Sequence, residues 1–152
     1  MGMFDSLDIS ATGLTAQRYR MDIISENVAN ANSTRTEGGK IYKRKVVTFE
    51  AKCDGGVPFK TVLGRSTNDL SNYLGDGVRI TSVQEDRTSE PKKVYDPSHP
   101  DADEAGYVYY PNVDIITEMT NLIDASRAYE ANATAVDATK NMLQQGLQIG
   151  KG

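Results

Sequence analysis

The sequence contains no tryptophan, a single cysteine and a single histidine, and only three phenylalanines. One cysteine cannot form an intramolecular disulfide or a cysteine-based zinc site. Hydrophobic residues make up 38% of the 152 residues, which is little for a chain that must fill one deep core. We therefore expect part of the apolar surface to be buried against other subunits.

From the sequence we expect no membrane span and no cleavable signal. No apolar run approaches the roughly 18 residues that cross a bilayer, and residues 1–6 lack the basic and apolar regions of a secretory signal. The formal net charge of −4 argues against general affinity for nucleic acid or anionic membranes. We expect no nucleic-acid partner and no direct insertion into a membrane.

Sequence motifs of enzymes are missing as well. There is no P-loop, no Gly-x-Gly-x-x-Gly and no Gly-x-Ser-x-Gly. His99 lies in an acidic loop between Asp96 and Glu104, but a calcium-loop alignment fails at Ala105 and Asn112, where oxygen ligands are required. We predict a solvated loop here, no catalytic, cofactor-binding or metal-binding residues, and a protein that is not an enzyme.

An apolar repeat of seven dominates the C-terminal forty or so residues. Its members are Ile115, Leu122, Tyr129, Val136 and Leu143, and four residues after members of this series come Met119, Ser126, Ala133 and Leu147, with Lys140 as the polar interruption. No proline falls after Val113, so one continuous helix of roughly 35 residues can form. Such a helix is about three times the mean globular length, and we interpret it as an assembly element.

A second striped helix is predicted over residues 4–31. Its stripe consists of Phe4, Leu7, Ala11, Leu14, Met21, Ile24 and Val28. Gly13 lies inside this helix at a cost of about 1 kcal/mol relative to alanine, and we expect a closely packed neighbouring backbone to compensate. Turn-forming residues from Asn30 to Gly39 end the helix.

Short strands are predicted between the helices. Runs of β-branched and aromatic residues indicate strands at 41–51, 57–63, 78–83 and 107–110. Residues 65–77 read as a mobile loop and the proline-containing residues 85–106 as extended chain, with Asn112 as N-cap of the second helix.

The predicted fold class is α+β, mainly α, with the long N- and C-terminal helices paired as an antiparallel coiled coil around a small β-rich insertion. The helices form a discontinuous domain of residues 1–33 and 112–152, and the insertion comprises residues 34–111. A partner subunit could bury the two stripes equally well. Opposite charges give a further hypothesis: a basic run at Arg35, Lys40, Lys43, Arg44 and Lys45 meets the acidic run 96–104 of a neighbouring subunit.

Longer motifs are more specific than the heptads. They are ISATGLTAQ at residues 9–17, RMDIISENVANANST at 20–34, VYDPSHPDAD at 94–103, YVYYPNVD at 107–114 and SRAYEAN at 126–132. Together they resemble the signature of bacterial flagellar rod and hook proteins, most closely those of the proximal rod. The resemblance covers both ends and part of the middle, whereas residues 52–76, including Cys53, carry none of it.

The resemblance implies a structural subunit of the flagellar basal body. Such subunits assemble helically with related rod proteins into the drive shaft that crosses the periplasm, and they leave the cell through the flagellar type III export apparatus without a cleaved signal. The expected partners are other copies, related rod subunits, the export apparatus and basal-body ring proteins, with no cofactor. The terminal helices are expected to form an inner coiled-coil layer with the β-rich part outside.

Two sets of residues are expected to carry assembly. The predicted seam comprises Leu7, Leu14, Met21, Ile24, Val28, Ile115, Met119, Leu122, Tyr129, Ala133, Val136, Leu143 and Leu147. The family-motif residues are Asn27, Asn30, Asn32, Arg127, Tyr129, Glu130 and Asn132. An alternative function, a soluble coiled-coil adaptor or export chaperone, would use the same stripes to bind one partner in a closed complex.

Overall fold

The computed structural model describes residues 3–52 and 77–150, which form two long helices and four short strands. Their bounds are α1 Met3–Ala29, β1 Lys45–Ala51, β2 Val78–Glu85, β3 Lys92–Tyr95, β4 Tyr107–Tyr110 and α2 Ile115–Ile149. The predicted mainly helical α+β fold with a small strand insertion is confirmed at this level. No helix among the described residues is long and apolar enough to cross a membrane.

Side-chain hydrogen bonds are found at the C-terminal end of α1 and at the N-terminal end of α2. At the end of α1 the Asn30 side chain donates from Nδ2 to the Glu26 carbonyl at 3.0 Å. The predicted N-cap of α2, Asn112, is wrong, because the helix begins at Ile115 and Asp114 is the residue before it. The Asp114 carboxylate accepts from the Ile116 backbone N–H at 3.2 Å and from the Thr117 hydroxyl at 2.7 Å, and these bonds lower its pKa.

The four strands form two two-stranded sheets, β1 with β2 and β3 with β4. In the second sheet the strands are antiparallel, with Lys92 opposite Tyr110 and Tyr95 opposite Tyr107. The prediction of extended chain over residues 85–106 missed β3, which exists because β4 supplies its backbone partners. The Lys93 ammonium also lies 3.9 Å from the centre of the Tyr107 ring, which favours this pairing.

The chain divides into two compact units. Unit 1 comprises Met1–Gln17, Phe49–Thr81 and Ala128–Gly152, and unit 2 comprises Arg18–Thr48 and Ser82–Arg127. Among the described residues the buried apolar side chains are Ala16 in unit 1 and Ile24, Ala31, Tyr42, Val108, Pro111, Val113 and Ala125 in unit 2. A core this small follows from the low apolar content of the sequence.

Several predictions fall outside the described residues. These are the return strand at 57–63, the residues 65–76 of the expected mobile loop, and the position of Cys53. The proposed division into a terminal-helix domain of residues 1–33 and 112–152 and an insertion of residues 34–111 stays a prediction.

Candidate assembly site

Asn27, on α1 in unit 2, is the centre of a buried polar network. Its amide nitrogen donates to the Lys45 carbonyl at 2.9 Å and to a Glu118 carboxylate oxygen at 3.2 Å. Its amide oxygen accepts from the Tyr42 hydroxyl at 2.8 Å and from the Lys45 backbone N–H at 2.9 Å. Every hydrogen-bonding position of the amide is therefore used, which is what a side chain only 1% exposed requires.

Glu118, on α2, is the charged member of the network and is equally buried. Its second carboxylate oxygen accepts from Arg44 Nε at 2.8 Å and Arg44 Nη2 at 2.6 Å. A buried carboxylate needs a cation and hydrogen-bond donors to offset its lost hydration, and Arg44 and Asn27 supply both. The segment before β1 is thus fastened to both helices of unit 2.

Tyr42 is the third buried member of this network. Burial, together with the nearby carboxylates of Glu26, Glu118 and Glu85, raises the pKa of Tyr42 to about 12, because the phenolate would be poorly hydrated and close to negative charge. The neutral hydroxyl is the form that donates to Asn27.

Other contacts of unit 2 use most of the predicted basic run. Lys45 pairs with Glu26, and Asp101 of the acidic loop accepts from the Thr34 hydroxyl at 2.7 Å and lies 3.5 Å from Arg35. With Arg44 bound to Glu118, three cations of the run have partners in their own chain. These pairs leave fewer charges for the hypothesised contact between the basic and acidic runs of neighbouring subunits.

The acidic loop itself is held by local turns. Asp96 accepts from the Ser98 hydroxyl at 2.6 Å, and Asp103 accepts from the backbone N–H groups of Ala105 and Tyr107 at 2.8 and 3.1 Å. These bonds lower the pKa of both carboxyl groups. Within the described ranges no three His, Cys, Asp or Glu side chains are grouped so that they could hold a metal ion.

Unit 1 brings its helices together differently. A Cβ added to Gly13 of α1 would lie 3.0–3.1 Å from side-chain atoms of Asn132 on α2, so the glycine makes room for a side chain rather than for the neighbouring backbone that we expected. Asn132 itself donates to the Ala128 carbonyl at 2.8 Å. Next to this contact the Thr12 hydroxyl accepts from the Val78 backbone N–H at 3.1 Å, which attaches α1 to β2.

The buried positions of α2 agree with only part of the heptad pattern. Four members of the series that repeats every seven residues are half-buried, namely Leu122, Tyr129, Val136 and Leu143. The second inward series falls three residues after them and consists of Ala125, Asn132 and Thr139, with Glu118 preceding it. Lys140, which interrupted the sequence pattern, lies outside this inward face and is exposed.

The remaining seam residues differ in their exposure within the single chain. Ile115, Met119 and Leu147 are exposed, Ala133 is half-buried, and Ile24 is fully buried. The α1 residues Leu7, Leu14, Met21 and Val28 are half-buried. As an assembly surface the whole set stays a prediction.

The family-motif residues have unequal surroundings. Asn27, Asn30 and Asn132 make the contacts described above, and Tyr129 is half-buried, whereas Asn32, Arg127 and Glu130 are exposed. Sequence reasoning missed Tyr42, Arg44 and Glu118 as site residues. A signal was present for Glu118, because it is an acid near the start of α2 that lies three residues after Ile115 and directly before Met119.

Two known protein families match the two terminal regions of the chain. The family described as "Flagella basal body rod protein" matches residues 7–35, and the family described as "Flagellar basal body rod FlgEFG protein C-terminal" matches residues 104–149. The first range contains Gly13 and Asn27, and the second contains Glu118 and Asn132.

Relatives that match along their full length share one name, flagellar basal-body rod protein FlgC. The chain is 42% identical to the flagellar basal-body rod protein FlgC of Borreliella burgdorferi over the whole of both chains. It is 44% identical to FlgC of Bacillus subtilis and 33% identical to FlgC of Escherichia coli O157:H7, in each case over 99% of this chain and the whole of the relative. With both terminal families and full-length similarity in agreement, the chain belongs to the FlgC family of flagellar basal-body rod proteins.

Proposed function

We propose that this chain, as a structural and non-enzymatic rod protein of the flagellar basal body, assembles helically with copies of itself and related rod subunits into the drive shaft that crosses the periplasm. Membership of the FlgC family supports the rod assignment. The observation that carries the assembly step is the exposure of large apolar side chains on α2, where Ile116 is 77% and Leu147 is 67% exposed. A helix that leaves such residues in water is incomplete without a neighbour.

The proposal includes an antiparallel coiled coil of α1 and α2. Two contacts support it, Gly13 with Asn132 in unit 1 and Asn27 with Glu118 in unit 2. In the assembly these helices form the inner layer, and the four strands β1 to β4 lie outside.

Export and further partners belong to the same proposal. The chain leaves the cell through the flagellar type III export apparatus without a cleaved signal, and in the basal body it contacts rod subunits and ring proteins. Few fully buried apolar side chains hold the described part of the chain together, so unfolding for passage through a narrow channel costs little. Helicity then increases as the helices find neighbours.

The test follows assembly and helicity together. Circular dichroism of the full chain is measured against concentration, alone and mixed with a related rod subunit, and the products are imaged by electron microscopy. A rod subunit gains helicity as open filaments or rod segments form. A closed complex of fixed stoichiometry and constant helicity would instead indicate the coiled-coil adaptor or export chaperone, which the family assignment does not favour.

A seam variant sharpens the test. Leu122→Asp combined with Tyr129→Asp places two carboxylates on the half-buried face of α2, and we expect it to abolish assembly while expression continues. The matched control carries Thr134→Asp and Asn141→Asp at exposed positions of the same helix and should assemble normally. Normal rods from the seam variant would refute the seam.

A further inference from the structure

In unit 2, the one histidine of the sequence makes a hydrogen bond that depends on its protonation state. His99, in the acidic loop of residues 96–104, accepts at Nδ1 from the Asp101 backbone N–H at 3.1 Å. A ring nitrogen accepts only when it carries no proton, so the proton of the neutral ring lies on Nε2. Histidine is also the residue type that changes charge between about pH 5 and 8. Only the neutral ring can make this bond.

Asp101 is the residue through which this bond reaches the rest of unit 2. Its carboxylate accepts from the Thr34 hydroxyl at 2.7 Å and lies 3.5 Å from Arg35, and both partners belong to the segment that follows α1. The bond from the Asp101 N–H to His99 fixes the backbone from which this carboxylate extends. The Ala102 N–H also donates to the His99 carbonyl at 3.1 Å and closes the same turn. A change at the His99 ring therefore acts on the contact between the acidic loop and residues 34–35.

The His99 ring has titratable neighbours from its own loop and from β4. Hydrogen bonds from Ser98 lower the pKa of the Asp96 carboxyl, and the charge of His99 contributes to the same shift. The ring of Tyr110 on β4 meets the His99 ring edge-on, with 6.5 Å between the two ring centres. Asp101, with its arginine partner, is the other charged group of this turn. Asp96 is the carboxylate that a charged ring can approach, because the Asp101 carboxylate already has two partners.

We propose that protonation of His99 loosens the acidic loop from the segment that follows α1. A charged ring carries a proton on Nδ1 as well, so at its present position two N–H groups would point at each other. The ring then turns from the Asp101 N–H towards the Asp96 carboxylate, and the backbone that presents Asp101 to Thr34 and Arg35 is no longer fixed. The contact is closed at about pH 8 and more often open at about pH 5. This inference goes beyond the rod function and does not depend on assembly.

The test is amide hydrogen exchange of the full-length chain, followed by NMR. At each pH the exchange rate of the Asp101 N–H is compared with the rate expected for an unstructured peptide, which removes the direct effect of pH on exchange. We expect this protection to fall by about threefold to tenfold between about pH 8 and pH 5, as the loss of one ordinary hydrogen bond requires. Equal protection at the two pH values would overturn the proposal.

Two variants hold the turn in either state. His99→Asn places an amide oxygen as many bonds from the backbone as Nδ1, so it keeps an acceptor that does not titrate. His99→Ala has no acceptor. We expect protection of the Asp101 N–H to be independent of pH in the first variant and low at both pH values in the second. An equal pH dependence in His99→Asn would assign the effect to a carboxylate, and full protection in His99→Ala would show that the ring does not hold the turn. Either result contradicts the proposal.

A second readout follows the contact with the segment after α1. Thr34→Val removes the hydroxyl that donates to Asp101, and it should lower the Tm at about pH 8. At about pH 5 this loss of Tm should be smaller in the chain that contains His99, because the contact is already loosened. In the His99→Asn background the loss should be the same at both pH values. A loss that does not change with pH in the presence of His99 would show that the ring and the contact are independent.

The role of Asp96 is tested separately. Asp96→Asn keeps an oxygen that can accept from the Ser98 hydroxyl but removes the charge that attracts the protonated ring. We expect the fall in protection of the Asp101 N–H to move to lower pH, by up to about one pH unit. The matched control is Asp103→Asn, at the other turn of the loop, which should leave the transition in place. An unchanged or higher transition pH in Asp96→Asn, or an equal shift in the control, removes Asp96 from the mechanism.

Discussion

Each unit contains an ion pair between an arginine and a glutamate, and the two pairs differ in how deeply they are buried. In unit 2, Arg44 lies 2.6 Å from Glu118, whose side chain is 1% exposed. In unit 1, Arg79 lies 3.2 Å from Glu50, and both side chains are at least half exposed. The first pair is part of a network that joins both helices to the chain before β1, whereas the second links neighbouring strands in water. Unit 2 therefore contains a buried polar network beside most of the buried apolar side chains, whereas the ion pair of unit 1 lies at its surface.

The largest expected effect comes from breaking the buried pair. Arg44→Ala leaves the Glu118 carboxylate buried without a cation, and we expect the free energy of unfolding to fall by about 3 kcal/mol, the lower end for such pairs because Arg44 is partly exposed. Urea unfolding followed by far-UV circular dichroism measures the change. Lys43→Ala, the exposed neighbour, should cost less than about 0.5 kcal/mol. Similar losses in both variants would contradict a special role for the buried pair.

The next effect is a pH dependence that belongs to Tyr42. Its pKa is raised from 10.0 to about 12 in the folded chain, so the stabilisation is complete below pH 10 and is lost as the pH rises towards 12. Between those values the unmodified chain should lose about 2 kcal/mol more than Tyr42→Phe. Unfolding curves at several pH values test this, with Tyr95→Phe, at an exposed tyrosine, as the control. Parallel pH profiles for the unmodified chain and Tyr42→Phe would refute the assignment.

A pair of glycine substitutions examines the packing of unit 1. Gly146 has nothing within 4 Å of an added Cβ, so Gly146→Ala should raise the free energy of unfolding by about 0.5–1 kcal/mol through helix propensity. Gly13→Ala should gain less, because its Cβ presses on Asn132. Combining Gly13→Ala with Asn132→Ala should recover part of the difference. Equal gains at the two glycines would mean that the Gly13 contact is loose.

The smallest effect is expected at the exposed pair. Arg79→Ala should change the free energy of unfolding by less than about 0.5 kcal/mol, because water and salt screen the partner Glu50. Thermal unfolding at low and high salt measures it. A loss as large as that of Arg44→Ala would erase the contrast between the two units.

The helices could be predicted because their signals are local. Phe4 to Val28 repeat at helical spacing and the turn formers after Asn30 stop the helix, so the prediction of residues 4–31 differs from α1 by one or two residues at each end. Tyr107–Tyr110 was predicted with its observed bounds, since a short aromatic run before Pro111 has few alternatives. Membership of the rod family was predicted from long motifs and confirmed by full-length relatives.

Features that depend on distant partners could not be predicted in the same way. β3 contains two lysines and only two apolar residues, and its pairing with β4 decides its conformation. The second inward series of α2 contains Glu118, Asn132 and Thr139, which an apolar pattern does not count. Glu118 is buried because Arg44 and Asn27, both far away in sequence, satisfy it.

The four bonds of Asn27 also determine how α1 lies along α2 in unit 2. A slip of one helical turn would carry the amide about 5.4 Å along the axis and separate it from Lys45, Tyr42 and Glu118 together. Apolar contacts are not directional, so the leucines and valines of the two stripes would tolerate such a slip far better. Within unit 2 one amide therefore selects a single register of α1 against α2, and variants that repack the apolar face of this unit should keep that register as long as Asn27 and its partners remain.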